Sequence, residues 1–400
     1  MVSKQIIQDI KGGSEIRAMF VEGKELAKTV GKENVFDFSL GNPMTPVPKA
    51  YDLAMIDIIK SEESVSLHGY MDNTGYPEVR QSIAEHLNGR FGTDFYAGNI
   101  VMTAGAAGAM NTILKTLLDP EDEVLVFAPY FSEYRSYCKN WQGVIKEVQP
   151  DYQTFLPDFN DFKQKISEKT KAVIINNPVN PTGIIYPEET IVKITKILKE
   201  KQEEYDHEIY IISDEPYREL VYDNKSAVFL TKYYDNTFIT YSFSKSLSIP
   251  GDRIGYIAIP NVMADFETVI MGLATANRTI GFVNAPALMQ KAVARCLGEK
   301  TDVDYYDRNR KLIYKSLTDM GFECVKPEGA FYLFIKSPIK DDREFVKAAK
   351  KYNIFLVSGS AFACPGYVRL AYCVSYEMIQ RSLGAFEKLA EEMNNGEMGK

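Results

Sequence analysis

Lys245 stands in Ser242-Phe-Ser-Lys-Ser-Leu-Ser-Ile-Pro-Gly-Asp-Arg-Ile-Gly-Tyr256, an amine set among serines with Arg253 eight residues on. Such a segment can hold an anion beside a reactive amine, or it can be a solvated serine-rich turn. The apolar runs on either side, FITYSF at 238–243 and IGYIAI at 254–259, place Lys245 at a strand end, where open α/β sheets bind ligands. Asn176-Asn-Pro-Val-Asn-Pro-Thr-Gly183 follows the run AVIIN. Two Asn-Pro steps and a Gly make a tight turn with outward-facing amides, or a turn and nothing more. Asp214, in Ser213-Asp-Glu-Pro-Tyr217, stands just past the run EIYIIS, where a carboxylate is either a helix cap or a functional acid.

The elements that must position these groups follow from periodicity. Residues 14–31 read as an amphipathic helix with Ile16, Met19, Phe20, Ala27 and Val30 on one face. A Pro/Gly-punctuated loop at 39–48 leads to a helix near 49–61. Pro77 begins a helix in which Val79, Ile83, Leu87 and Phe91 repeat every four residues. Short apolar runs at 100–103, 123–128, 172–176, 208–213, 238–243 and 254–259 then alternate with helical stretches, notably 105–118, 158–168 and 187–205. Continuous apolar strands between helices imply an α/β domain whose mostly parallel sheet is covered on both faces. One long helical stretch is expected from about 261 to 320. A smaller α+β unit follows, with strands at 329–336, near 354–358 and at 367–373, and helices at 341–352 and from 375. The expected division is an arm and loop at 1–48, a large domain at 49–320 and a small C-terminal domain at 321–400, the arm joining the small domain.

Composition narrows the function. The 400 residues carry a net charge of −8, so no basic surplus or polybasic run points to nucleic acid or a membrane surface. Five scattered cysteines without a C-x-x-C pair, and three distant histidines without H-E-x-x-H, argue against a disulfide framework and a metal site. A cytoplasmic protein is expected, with no signal peptide and no transmembrane run.

Taken together, S-x-S-K with R-x-G-Y eight residues on, N-P-x-N-P-T-G and D-E-x-Y resemble the class I/II aminotransferases, a group of fold type I pyridoxal-phosphate enzymes, in order and across essentially the whole chain. The resemblance implies pyridoxal 5'-phosphate bound as a Schiff base to Lys245, whose amine, once displaced by substrate, moves the Cα proton. It implies Asp214 on the pyridine nitrogen, Asn180 and Tyr217 on the ring oxygen, and Ser242, Ser244 and Arg253 at the phosphate. Gly105, Ala106 and Ala107, at a Gly/Ala-rich helix start, would add backbone donors; by itself such a start can serve packing alone. Phe131 matches an aromatic stacked on the ring, Gly41 a glycine close to substrate, and Arg369 the grip on the α-carboxylate. Tyr70 matches a tyrosine that reaches the phosphate of a neighbouring subunit, which implies a homodimer with shared sites.

The sequence departs from the family where the prokaryotic aspartate branch often has a lysine in the phosphate-cup helix start: here Ala107 stands. Arg278 is a candidate for a side-chain carboxylate and equally a solvated helix-end arginine. The expected reaction is amino transfer between an α-amino acid and a 2-oxo acid. A carbon–sulfur lyase shares the same residues and the same Cα carbanion. A non-catalytic regulatory module would need an added DNA-binding segment, and none precedes the resemblance. GAAGAM lacks the spacing of a nicotinamide dehydrogenase.

Overall fold

The computed structural model describes residues 2–11 and 15–394; Ser14, expected to begin the first long helix, lies outside them, and that helix runs Glu15–Val30. A seven-stranded sheet carries the fold. Its order is Ile100–Thr103, Gly255–Ala258, Thr237–Ser242, Tyr210–Asp214, Thr170–Asn176, Glu123–Phe127, Val144–Val148. Gly255–Ala258 is antiparallel to both its neighbours and the other pairings are parallel.

The unbroken apolar runs are explained by burial on both faces. Leu125, Val173, Ile175, Ile211 and Ile239 point into one core. Val124, Val126, Ala172, Ile174, Ile212 and Phe238 point into the other, with Ala109, Met110, Ile113 and Leu114 of the helix Gly105–Leu117. Successive strand residues face opposite sides, so a strand covered by helices on both faces carries apolar side chains toward each.

A four-stranded antiparallel sheet, in the order Val357–Ser358, Tyr367–Ala371, Tyr332–Lys336, Cys324–Val325, builds a separate core with the helices Asp342–Lys350 and Tyr376–Asn394. Tyr306, Ile313 and Leu317 of Val303–Asp319 join that core. Phe36–Asp37 pairs in parallel with Ile354–Phe355 as a separate two-stranded sheet, and Phe36 and Ile354 join the same core.

One local expectation is corrected, and two elements went unread. The stretch 261–320 is not one helix but Phe266–Ile280, Ala287–Ala294 and Val303–Asp319. Gly281, at φ 106, ends the first and Pro286 precedes the second, and a further break at 295–302 separates the second from the third. The strand Val144–Val148 went unread because VIKEV lies at a sheet edge, where Lys146 and Glu147 interrupt the apolar pattern. The helix Glu133–Asn140 was missed as well; it buries only Tyr134 and Cys138, four residues apart.

Candidate active site

Three parallel strands end side by side at Asn176, Asp214 and Ser242, with Asn176 paired to Asp214 and Asp214 to Thr240. Their carboxyl ends open on a cavity of about 290 Å³. Gly41, Ala106, Ala107, Phe131, Asn180, Asp214, Tyr217, Ser242, Ser244, Lys245, Arg253 and Arg369 all line it. Twelve residues singled out in sequence, spread over more than three hundred positions, thus meet in one place.

Lys245 follows the turn that ends Thr237–Ser242. Ser242 Oγ accepts from the Ser244 N–H at 3.2 Å and donates to Ser244 Oγ at 2.8 Å, which fixes both hydroxyls. Lys245 Nζ donates to the Gly41 carbonyl at 2.7 Å. Burial lowers this amine to about 8, with Arg253 and Arg369 pushing the same way. Arg253 sits at the exposed rim in the left-handed region, at φ 52, with its guanidinium 3.4 Å from Ser244 Oγ.

Gly105 opens the helix Gly105–Leu117 behind Ala106 and Ala107. It has φ 71, and a Cβ there would lie 2.7 Å from the Arg253 guanidinium. Ala104 provides no side-chain cap, so the first N–H groups of this helix are left for a ligand.

Asp214 is buried. Tyr134 donates to its Oδ2 at 2.5 Å and Thr240 to its Oδ1 at 3.1 Å. Burial dominates these hydrogen bonds and raises the carboxyl to about 6. The adjacent Glu215 is taken up by Arg218, whose Nε lies 2.5 Å away, so of the two acids only Asp214 faces the cavity. The Asn-Pro turn is held by the Asn176 amide, which donates to the Asp214 carbonyl at 2.8 Å and accepts from the Asn180 N–H at 2.7 Å.

Arg369 is 1% exposed and makes two hydrogen bonds, to Asn180 Oδ1 at 3.1 Å and to the Ser39 carbonyl at 2.6 Å. Its Nε is buried without a partner. No carboxylate balances this charge among those contacts, and an unpaired buried guanidinium is costly unless a ligand completes it.

Two residues stand elsewhere. Tyr70 is 94% exposed and does not line the cavity of its own chain. Arg278 is exposed near the end of Phe266–Ile280, also away from the cavity. Sequence reading missed Tyr134, Tyr137 and Tyr332, which line the cavity, and Cys373, whose thiol lies 3.7 Å from the Leu40 carbonyl. Tyr332 lay in plain view within GAFYLFIK, but a tyrosine in an apolar run carries no mark that separates a site residue from core.

The chain matches the family described as aminotransferase class I and II over residues 33–386. It is 31% identical to a probable aspartate/prephenate aminotransferase of Aquifex aeolicus over 382 residues, 90% of this chain and 92% of that one. It is 30% identical to an aspartate aminotransferase of Thermotoga maritima over 393 residues, 97% and 98% of the two chains. A crystal structure of an aminotransferase from Eubacterium rectale superposes with a TM-score of 0.96 at 43% identity, covering 98% of this chain and 100% of that chain.

Proposed function

This chain belongs to the class I and II aminotransferases and moves an amino group between an α-amino acid and a 2-oxo acid; we propose that it does so with pyridoxal 5'-phosphate carried on Lys245. The observation that supports this most is that Lys245 and Asp214, a half-buried amine and a buried carboxylate with opposed pKa shifts, line one cavity.

The donor set fits the group. Ser242, Ser244, Arg253 and the uncapped N–H groups at Ala106 and Ala107 suit a phosphate dianion. Asp214 suits a ring nitrogen that must keep a proton. Asn180 and Tyr217 would donate to the ring oxygen, and Phe131 would cover the ring face. When bound, the group supplies an electron sink for the charge left at the substrate Cα.

The chain's own residues do the rest. Arg369, with its free Nε, grips the α-carboxylate and so orients the Cα–H bond. Gly41 lines the cavity where substrate would approach, and a Cβ there would run into the Tyr332 hydroxyl. The Lys245 amine, lowered to about 8, would take the proton from the substrate Cα as general base. Asp214 would hold a proton on the ring nitrogen of the bound group. The active unit is a homodimer completed by Tyr70 across the interface, and the setting is the cytoplasm, in keeping with five free cysteines.

Borohydride reduction of the yellow holoenzyme followed by peptide mass mapping tests the reading. The pyridoxyl mass is expected on Lys245 and nowhere in Lys245→Ala. Label on another lysine, or turnover that releases ammonia and pyruvate without an oxo acid, overturns it.

A further inference from the structure

Tyr332 has no role in the scheme above, yet it touches three of the residues that scheme uses. Its hydroxyl lies 2.8 Å from the Tyr217 hydroxyl. Its ring lies under the Arg369 guanidinium, 4.5 Å from the centroid, with Phe362 a second ring at 4.7 Å. Its hydroxyl also occupies the space where a Cβ on Gly41 would fall. Tyr332 is 3% exposed and sits on the strand Tyr332–Lys336, whose partner strand carries Arg369. We propose that Tyr332 is a positioning residue that aims the Tyr217 hydroxyl into the cavity and fixes the plane of the Arg369 guanidinium. This role rests on the function proposed above.

The hydroxyl pair has one geometry that leaves nothing wasted. Each phenol has a single proton, and among the described residues neither has another hydrogen-bond partner. If Tyr332 donates to the Tyr217 oxygen, the Tyr217 proton is released toward the cavity. If the donation ran the other way, Tyr217 would present only an acceptor there. Burial raises both phenols and Arg369 opposes that rise in each, so the direction is assigned from the cavity: only with Tyr332 donating does Tyr217 present a proton there. The ring does separate work. A guanidinium over an aromatic face is attracted by the ring quadrupole and loses freedom to tilt, and a bidentate grip on a carboxylate depends on that plane.

Two substitutions separate these contributions in the purified holoenzyme. Tyr332→Phe keeps the ring and removes the donor. The pH midpoint of the cofactor's visible band should move upward, because a weakened donor no longer favours the anionic ring oxygen, and kcat should fall about tenfold with KM unchanged. Tyr332→Leu should in addition raise KM for amino acid and oxo acid alike, by about tenfold. Because Tyr332 acts through Tyr217, removing it from a Tyr217→Phe background should shift the midpoint no further. An unmoved midpoint and kcat in Tyr332→Phe, or shifts that add fully in the double variant, overturn the aiming role. Equal KM values in the Phe and Leu variants overturn the role of the ring. A parent protein without a visible cofactor band would instead overturn the proposed function, and this role with it.

Discussion

Tyr134 donates its hydroxyl proton to Asp214 Oδ2 across 2.5 Å, and both side chains are buried. The hydrogen bond favours the carboxylate, yet burial wins and the carboxyl titrates near 6. In the protein without cofactor, Asp214 is therefore a charge awaiting a partner. Holding a proton on a pyridine nitrogen would give it one.

The first prediction follows from that shift. The folded pKa of Asp214 lies above the ordinary carboxylate value, so the folded state binds more protons than the unfolded one between them. Stability from this group is intact below about pH 4, is lost as pH rises, and is fully lost above about 6. Cofactor-free Asp214→Asn should gain on the cofactor-free parent as pH rises from 4 to 7, reaching roughly 1–3 kcal/mol in urea unfolding. A difference independent of pH would show that Asp214 ionises as readily in the folded chain as in the unfolded one. In the holoenzyme the same substitution should slow Cα proton removal by orders of magnitude while cofactor is still bound.

The second prediction concerns the free amine. Burial lowers Lys245 to about 8, so the cofactor-free protein should form its reducible bond at a rate that rises with a midpoint near 8. A midpoint near the ordinary lysine value of about 10.4 would show an amine open to water.

Arg369→Lys is the third test. An ammonium has three donors and no planar fork, so it cannot keep Asn180 Oδ1 and the Ser39 carbonyl and still offer two parallel N–H groups to a carboxylate. KM for amino acid and oxo acid should rise together by about 10- to 100-fold, with the visible band unchanged. Unaltered affinity would place the carboxylate elsewhere.

The residues legible in sequence were those with two signals at once. Lys245, Asp214 and Asn180 each combine an unusual residue type with a place at the end of an apolar run, and parallel strands bring such ends together. Arg369 had only the family resemblance to mark it, since a strand arginine is ordinarily a surface residue. Tyr134 and Tyr332 were invisible for a physical reason. Their rings sit in apolar runs like any core residue, and their hydroxyls meet partners 80 residues away for Tyr134 and 115 for Tyr332. The helical region after 261 was misread because Phe266–Ile280 and Ala287–Ala294 are similarly apolar, and only Gly281 and Pro286 mark the break between them.

The last prediction is that catalysis needs two copies of the chain. Tyr70, in His68-Gly-Tyr-Met-Asp-Asn-Thr-Gly75, is 94% exposed, so it does not serve its own cavity. Met44, Leu53, Val65 and Met271 are also large apolar side chains left exposed. A second copy laid over Tyr70 would give its hydroxyl an anion to bind without adding charge beside Arg253, and an interface is a natural place for a cleft that excludes water. Inactive Lys245→Ala subunits mixed with impaired Tyr70→Ala subunits should regain activity as they exchange. If sites are shared, each mixed dimer has one site with both lesions and one with neither, so recovery should approach a quarter of the parent activity at equal mixing, about half the dimers being mixed and each of those holding one intact site of two. If every chain is self-sufficient, each site keeps one lesion and no recovery appears. Sedimentation of a fully active monomer would overturn the shared site directly.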